Sequence, residues 1–215
     1  MEILEYIEKN IHDFKRDTLN IDRFLNDTRA SYSFFQANYP DILKEFNRKE
    51  RSEEEIEGME IFKSLQESVC TYESEIYKFC FINLIARTDA FLNDIARSIY
   101  LWKKPDLQEE KREKIILRFS HSSFKDKLEH LKKEFNLTFP NIKKWESSIV
   151  ELFSTRNIIL HNNGLVNETY LRINGNSDLN LGDKRVVGEE YLKFTFVLII
   201  IIAKSIEEQI HIKMS

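Results

Sequence analysis

The chain has 215 residues, 42% of them hydrophobic and 32% charged, with a formal net charge of −4. That length buries a real core without requiring a second domain, and the balance fits a folded, soluble, helix-rich protein. Five glycines and three prolines exclude Pro-rich linkers and permit long uninterrupted helices.

From the N-terminus, residues 1–37 carry apolar side chains at helical spacing, among them Ile3, Ile7, Ile11, Phe14, Leu19, Phe24 and Leu25. This start is amphipathic and acidic and lacks the basic n-region and apolar core of a signal peptide. Pro40 is expected to punctuate it, with Asp41 capping a short helix through Ile42, Leu43 and Phe46. Ser52 and Glu55 form a capping-box pattern ahead of a helix through Met59, Phe62, Leu65 and Val69, with a break expected near Thr71. A long helix is predicted from Ser74 to Trp102, ended by Pro105.

A short helix is predicted over 108–119. Ser122 and Ser123 then cap another that sets Phe124, Leu128, Leu131 and Phe135 on one face. After Pro140 one helix is expected from Asn141 to about Asn163, with Gly164 as the C′ residue. Residues 169–173 and 184–187 flank a Gly/Asn/Asp-rich stretch and read as a small β-hairpin. The last helix is expected over 189–211. Its apolar run, Phe194 to Ala203, is ten residues between two lysines, too short for a bilayer core that needs roughly 20. It is expected to be buried on all sides, or partly in the core and partly against a second copy of the chain.

The predicted class is therefore all-α, with a small β-hairpin before the last helix. Charge is unevenly spread: residues 1–75 are acidic, and residues 97–145 are basic enough to attract a polyanion locally. Cys70 and Cys80 show no CxxC spacing, and no His/Cys cluster has metal-ligand spacing. They read as small buried residues of a reducing, cytoplasmic compartment, and no metal or cofactor is expected.

Of the five histidines, four lie among ordinary helix residues. His161 is in the last turn of its helix beside Arg156, Asn157, Asn162 and Asn163. Asn157 and His161 are four apart and share a face, with Arg156 on the adjoining one. Asparagine is a poor mid-helix residue, because its amide competes for backbone hydrogen bonds. One explanation is a helix end dressed with a dipole-compatible histidine and capping asparagines. In that case the chain is a plain helical interaction domain.

The string Arg156-Asn-Ile-Ile-Leu-His161-Asn-Asn-Gly-Leu-Val-Asn167-Glu-Thr-Tyr170-Leu171 resembles the signature of the HEPN superfamily (higher eukaryotes and prokaryotes nucleotide-binding domain). It is similar in particular to bacterial HEPN proteins of toxin and abortive-infection loci. The match covers about sixteen residues; the helical pattern is compatible over 74–212, and residues 1–60 would be a family-specific extension of one domain spanning 1–215.

The resemblance implies an up-and-down helical bundle that dimerises and joins two motif helices in a composite cleft. It implies a metal-independent endoribonuclease acting on RNA, as a toxin or phage-defence effector, with a nucleotidyltransferase as one kind of antitoxin partner. Attack of a ribose 2′-OH on the adjacent phosphate needs proton removal, charge neutralisation and a protonated leaving oxygen. His161 would serve as acid or base, Arg156 would bind the phosphate with its planar fork, and Asn157 would hold the ring or the phosphate. The family often places an acidic residue on an earlier helix facing the motif, a position that Asp89 occupies, with Asn93 and Asp94 as further candidates. Asp89 would pair with Arg156, or equally with Arg87 at a helix edge. The alternative function is a non-catalytic HEPN module that binds RNA, a nucleotide or a partner protein.

Overall fold

The computed structural model describes residues 3–46, 53–175 and 177–214, and the side-chain surroundings of these apart from residues 35, 36, 38–46, 53–71 and 214. The regular elements among the described residues are all α-helices. In order they are α1 (Ile3–Phe46), α2 (Glu53–Lys103), α3 (Glu109–Ser120), α4 (Phe124–Phe135), α5 (Pro140–Lys144), α6 (Glu146–Asn162), α7 (Glu168–Ile173) and α8 (Glu189–Met214). None is long and apolar enough to cross a membrane.

The first two helices are longer than the local signals suggest. α1 continues through Pro40 and Asp41, which therefore neither end it nor cap a new helix. An interior proline removes one backbone hydrogen bond and crowds the carbonyl four residues back, which disfavours a helix without forbidding one that runs past it. α2 likewise passes position 71 unbroken, since a β-branched residue lowers helix propensity only slightly. The Ser52–Glu55 capping pattern lies outside the described residues.

α1 and α2 form an antiparallel pair, and the register is visible in its contacts. Phe14 stacks on Phe91 with ring centroids 4.2 Å apart, Asp17 pairs with Arg87, and Phe24 meets Phe79 at 6.2 Å. α8 runs antiparallel to α1, tied by Lys15–Glu207 at 2.6 Å and Arg29–Glu189 at 2.7 Å. Between them lies the main core, built from Ile7, Ile11, Phe81, Leu84, Leu92 and Ile95 with Leu198, Ile199 and Ile202 of α8. α2 is the central helix, touching α1, α3, α4, α6 and α8. The apolar run of α8 is not buried on all sides within one copy. Leu198, Ile199, Ile202 and Ala203 are fully buried, whereas Val197 is 55% and Phe194 37% exposed.

α4 starts where its sequence predicts, with the Ser123 hydroxyl accepting from the Asp126 N–H, and it buries Phe124, Leu131 and Phe135. The helix expected over 141–163 is divided at Trp145, whose φ of −113° leaves the helical region. There the Trp145 N–H turns back on the Ile142 carbonyl, and α6 restarts with Ile149 bonded to Trp145.

The β-hairpin is not formed: the described residues contain no strand, only one antiparallel bridge between Leu165 and Lys184. Residues 169–173 belong to α7, because the Asn167 side chain accepts from the Tyr170 N–H and caps a helical turn. The 182–185 segment pairs instead with 164–166, just after the motif helix, through Val166 N–H to Asp183 O (2.9 Å) and Arg185 N–H to Gly164 O (2.8 Å). A Gly/Asn/Asp-rich stretch between two short segments reads as a hairpin, and a side-chain cap decides otherwise.

Candidate functional site

α6 ends at Asn162, and Asn163 follows in the left-handed region at φ 49°. Gly164 follows the Asn163 cap in the expected C′ place, also at positive φ (76°), and its N–H donates to the Ile158 carbonyl at 2.9 Å. A Cβ on Gly164 would sit 3.4 Å from the Arg185 carbonyl oxygen, in contact with it, and the left-handed backbone there is what favours glycine. The residues after it fold back beneath the helix. Val166 and Tyr170 join Ile158 in a small satellite core with Leu171 and Leu179 against it.

This end of α6 divides the candidate residues between two environments. Arg156 turns inward to α2, where its Nη2 lies 3.8 Å from Asp89 Oδ2. That is an ion-pair distance rather than a hydrogen bond, and the buried Arg156 Nε has no hydrogen-bond partner. Asn157 and His161 are exposed one turn apart, with Leu160 49% exposed beside them. Among the described residues neither Asn157 nor His161 has a hydrogen bond within the chain.

Asp89 is half-buried and faces the motif helix from α2. Arg87, the other partner considered for it, pairs instead with Asp17 of α1. The principal partner of Asp89 was not foreseen: Lys127 of α4 directs its Nζ at Asp89 Oδ1, and also at Asn93 Oδ1 at 3.2 Å. Lys127 is fully buried. A signal for it was present in the sequence, since Lys127 falls on the apolar stripe Phe124, Leu131, Phe135, where a lysine needs a carboxylate partner. Asn93 therefore belongs to the cluster through Lys127, whereas Asp94 is exposed, with no described contact to Arg156.

One turn before the motif, Glu151 organises a second polar cluster. Its Oε1 accepts from Thr155 Oγ1 (2.9 Å) and Tyr170 OH (2.7 Å) and forms an ion pair with Arg185 Nη2 (2.9 Å), and its Oε2 accepts from Tyr191 OH (2.6 Å). The Arg185 guanidinium also lies over the Tyr191 ring, 4.3 Å from its centroid. Burial first, and then the Glu151 hydrogen bond, push the Tyr170 hydroxyl up to about 12, so it remains a donor at neutral pH. The cluster forms one wall of an open cleft of about 980 Å³ between α6, α7 and α8. Tyr170, Tyr191 and Arg185 tie α6 to α7, α8 and the 185 segment through Glu151, and the Thr155 bond closes a turn within α6 itself.

Among the described residues no group of three His, Cys, Asp or Glu side chains is placed to hold a metal ion. Arg156 and Asp89 form a charged, partly exposed pair, and Asn157 and His161 present hydrogen-bonding side chains to solvent from the same helix. Compared with known proteins, the chain matches no family model, no curated protein and no solved structure.

Proposed function

We propose that this chain is a metal-independent endoribonuclease of the HEPN type, acting as a homodimer and serving as a toxin or phage-defence effector. One observation carries the reading: Asn157 and His161 are exposed a turn apart, unconsumed by the fold, beside an Arg156 held only loosely at 3.8 Å. The motif string around them resembles that superfamily, and the half-exposed Leu160 in the same patch suits burial against a second copy.

In the proposed reaction the ribose 2′-oxygen bonds to the adjacent phosphorus as its bond to the 5′-oxygen breaks. The 2′-OH proton passes to one imidazole, and a protonated imidazole delivers a proton to the leaving 5′-oxygen. Two copies of His161, one from each chain, supply the two roles. Arg156 stabilises the charge that builds on the phosphate oxygens, and Asn157 holds the phosphate or the ring. The products are a 2′,3′-cyclic phosphate and a 5′-hydroxyl.

The test is RNA cleavage in EDTA by the purified chain and by His161→Ala and Arg156→Ala. Both variants should lose cleavage, and His161→Ala should melt like the wild type, since an exposed residue outside such networks changes stability by about 0.5 kcal/mol or less. Cleavage by a clean His161→Ala preparation would refute the site. A second reading, a non-catalytic module that binds RNA, a nucleotide or a partner, draws on the absence of any described group orienting His161 within one copy. Tight RNA binding with no product on long incubation favours it.

A further inference from the structure

We propose that Lys127 is a positioning residue, which occupies the Asp89 carboxylate and so keeps the Arg156 guanidinium open as a phosphate site. The identity of that phosphate as RNA rests on the ribonuclease reading above; the anion binding itself does not.

A fully buried lysine on the apolar face of a four-turn helix or shorter is costly unless its charge is met. Lys127 meets Asp89 Oδ1 and Asn93 Oδ1, and its ammonium lies 5.4 Å from the Phe119 ring centroid. Asp89 thus commits one oxygen to Lys127. Its other oxygen stays 3.8 Å from Arg156 Nη2, beyond hydrogen-bond length, and Arg156 Nε is left without a partner. A guanidinium facing an uncommitted carboxylate would close on it with two parallel hydrogen bonds. Here that clamp has not formed.

Charge points the same way. One carboxylate faces two cations, so the cluster carries a net positive charge, and it reaches solvent through Arg156 and Asp89, whose side chains are 22% and 26% exposed. An incoming phosphate would find a partly exposed guanidinium that makes no hydrogen bond to Asp89 and has little to give up. Without Lys127 the cluster would be neutral, and Asp89 would compete with the phosphate for the same donors.

The experiment follows the Arg156 Nε–Hε resonance by NMR, identified by its loss in Arg156→Lys, as inorganic phosphate is added. Wild-type protein should show a saturable shift. Lys127→Met should weaken phosphate binding by roughly tenfold, the scale of one charge-assisted hydrogen bond, and Lys127→Met/Asp89→Asn should restore it by removing the competitor. A lysine that merely supports the fold would leave phosphate affinity unchanged in a folded Lys127→Met chain, whatever happens to its stability. Should Lys127→Met fail to fold, Asp89→Asn decides the matter, because it must bind phosphate at least as tightly as wild type. The proposal is overturned if wild type shows no saturable shift, if Lys127→Met binds phosphate like wild type, if the double variant is folded but not restored, or if Asp89→Asn binds more weakly. Phosphate binding without RNA cleavage would remove the ribonuclease reading and leave this one standing.

Discussion

Replacing Glu151 by alanine takes away the carboxylate on which the Thr155, Tyr170 and Tyr191 hydroxyls and the Arg185 guanidinium converge, at distances of 2.6–2.9 Å. The buried Tyr170 hydroxyl and the Arg185 guanidinium are then left in a site shaped for a carboxylate. Removing one partner of a buried ion pair costs about 3–5 kcal/mol. The side chains of Glu151 and Arg185 are 22% and 24% exposed, so water can replace part of what is lost. We therefore expect about 3 kcal/mol, the lower end of that range. For a chain of this size each kcal/mol moves the melting temperature by about 2–4 °C, giving a fall of about 6–12 °C by calorimetry or circular dichroism. Glu151→Gln keeps one acceptor oxygen and should lose about half as much. A fall of less than about 2 °C for Glu151→Ala would show that the four groups find equal partners elsewhere, and that this carboxylate does not bind α6 to α7 and α8.

Gly164→Ala places a Cβ at φ 76° and 3.4 Å from the Arg185 carbonyl, so it should cost about 1 kcal/mol or more, read as a lower urea midpoint. Burial lowers the His130 imidazole below its ordinary value of 6.5, an effect that Glu134 opposes and Lys104 reinforces. The folded chain therefore holds His130 neutral, and the stability this contributes is present above 6.5 and lost as the pH falls from there toward the lowered folded value. His130→Gln should accordingly show a smaller drop in melting temperature than wild type between about pH 7.5 and about pH 5.5. Leu160→Asp should leave the half-exposed site folded, abolish the proposed dimer in sedimentation equilibrium, and remove cleavage with it. A Leu160→Asp chain that still dimerises would place the interface elsewhere.

Much of the helical architecture was legible because helices announce themselves locally. Ser123 and its Phe124–Leu131–Phe135 stripe specify α4 through a cap and a 3.6-residue period, both set within one segment. The charged and aromatic rims of α8 bounded its apolar run correctly, but which side of it meets the core depends on α1 and α2, and Val197 and Phe194 stay exposed. The 169–187 stretch misled for a similar reason. Its Gly/Asn/Asp-rich middle suited a hairpin loop, yet the Asn167 cap and the Tyr170–Glu151 hydrogen bond place residues 169–173 in α7.

By itself the sequence determined the all-helical class, the end of α6 at Asn162–Gly164, and the grouping of Arg156, Asn157 and His161 within two turns. These depend on periodicity, capping and i, i+4 spacing, which neighbours in the chain decide. Tertiary structure alone decided that Asp89 faces Arg156, that Lys127 stands between Asp89 and Asn93, and that Glu151 gathers donors from three other segments. Those pairings join residues tens of positions apart, and each exists because a buried charge or hydroxyl must find a partner wherever packing brings one.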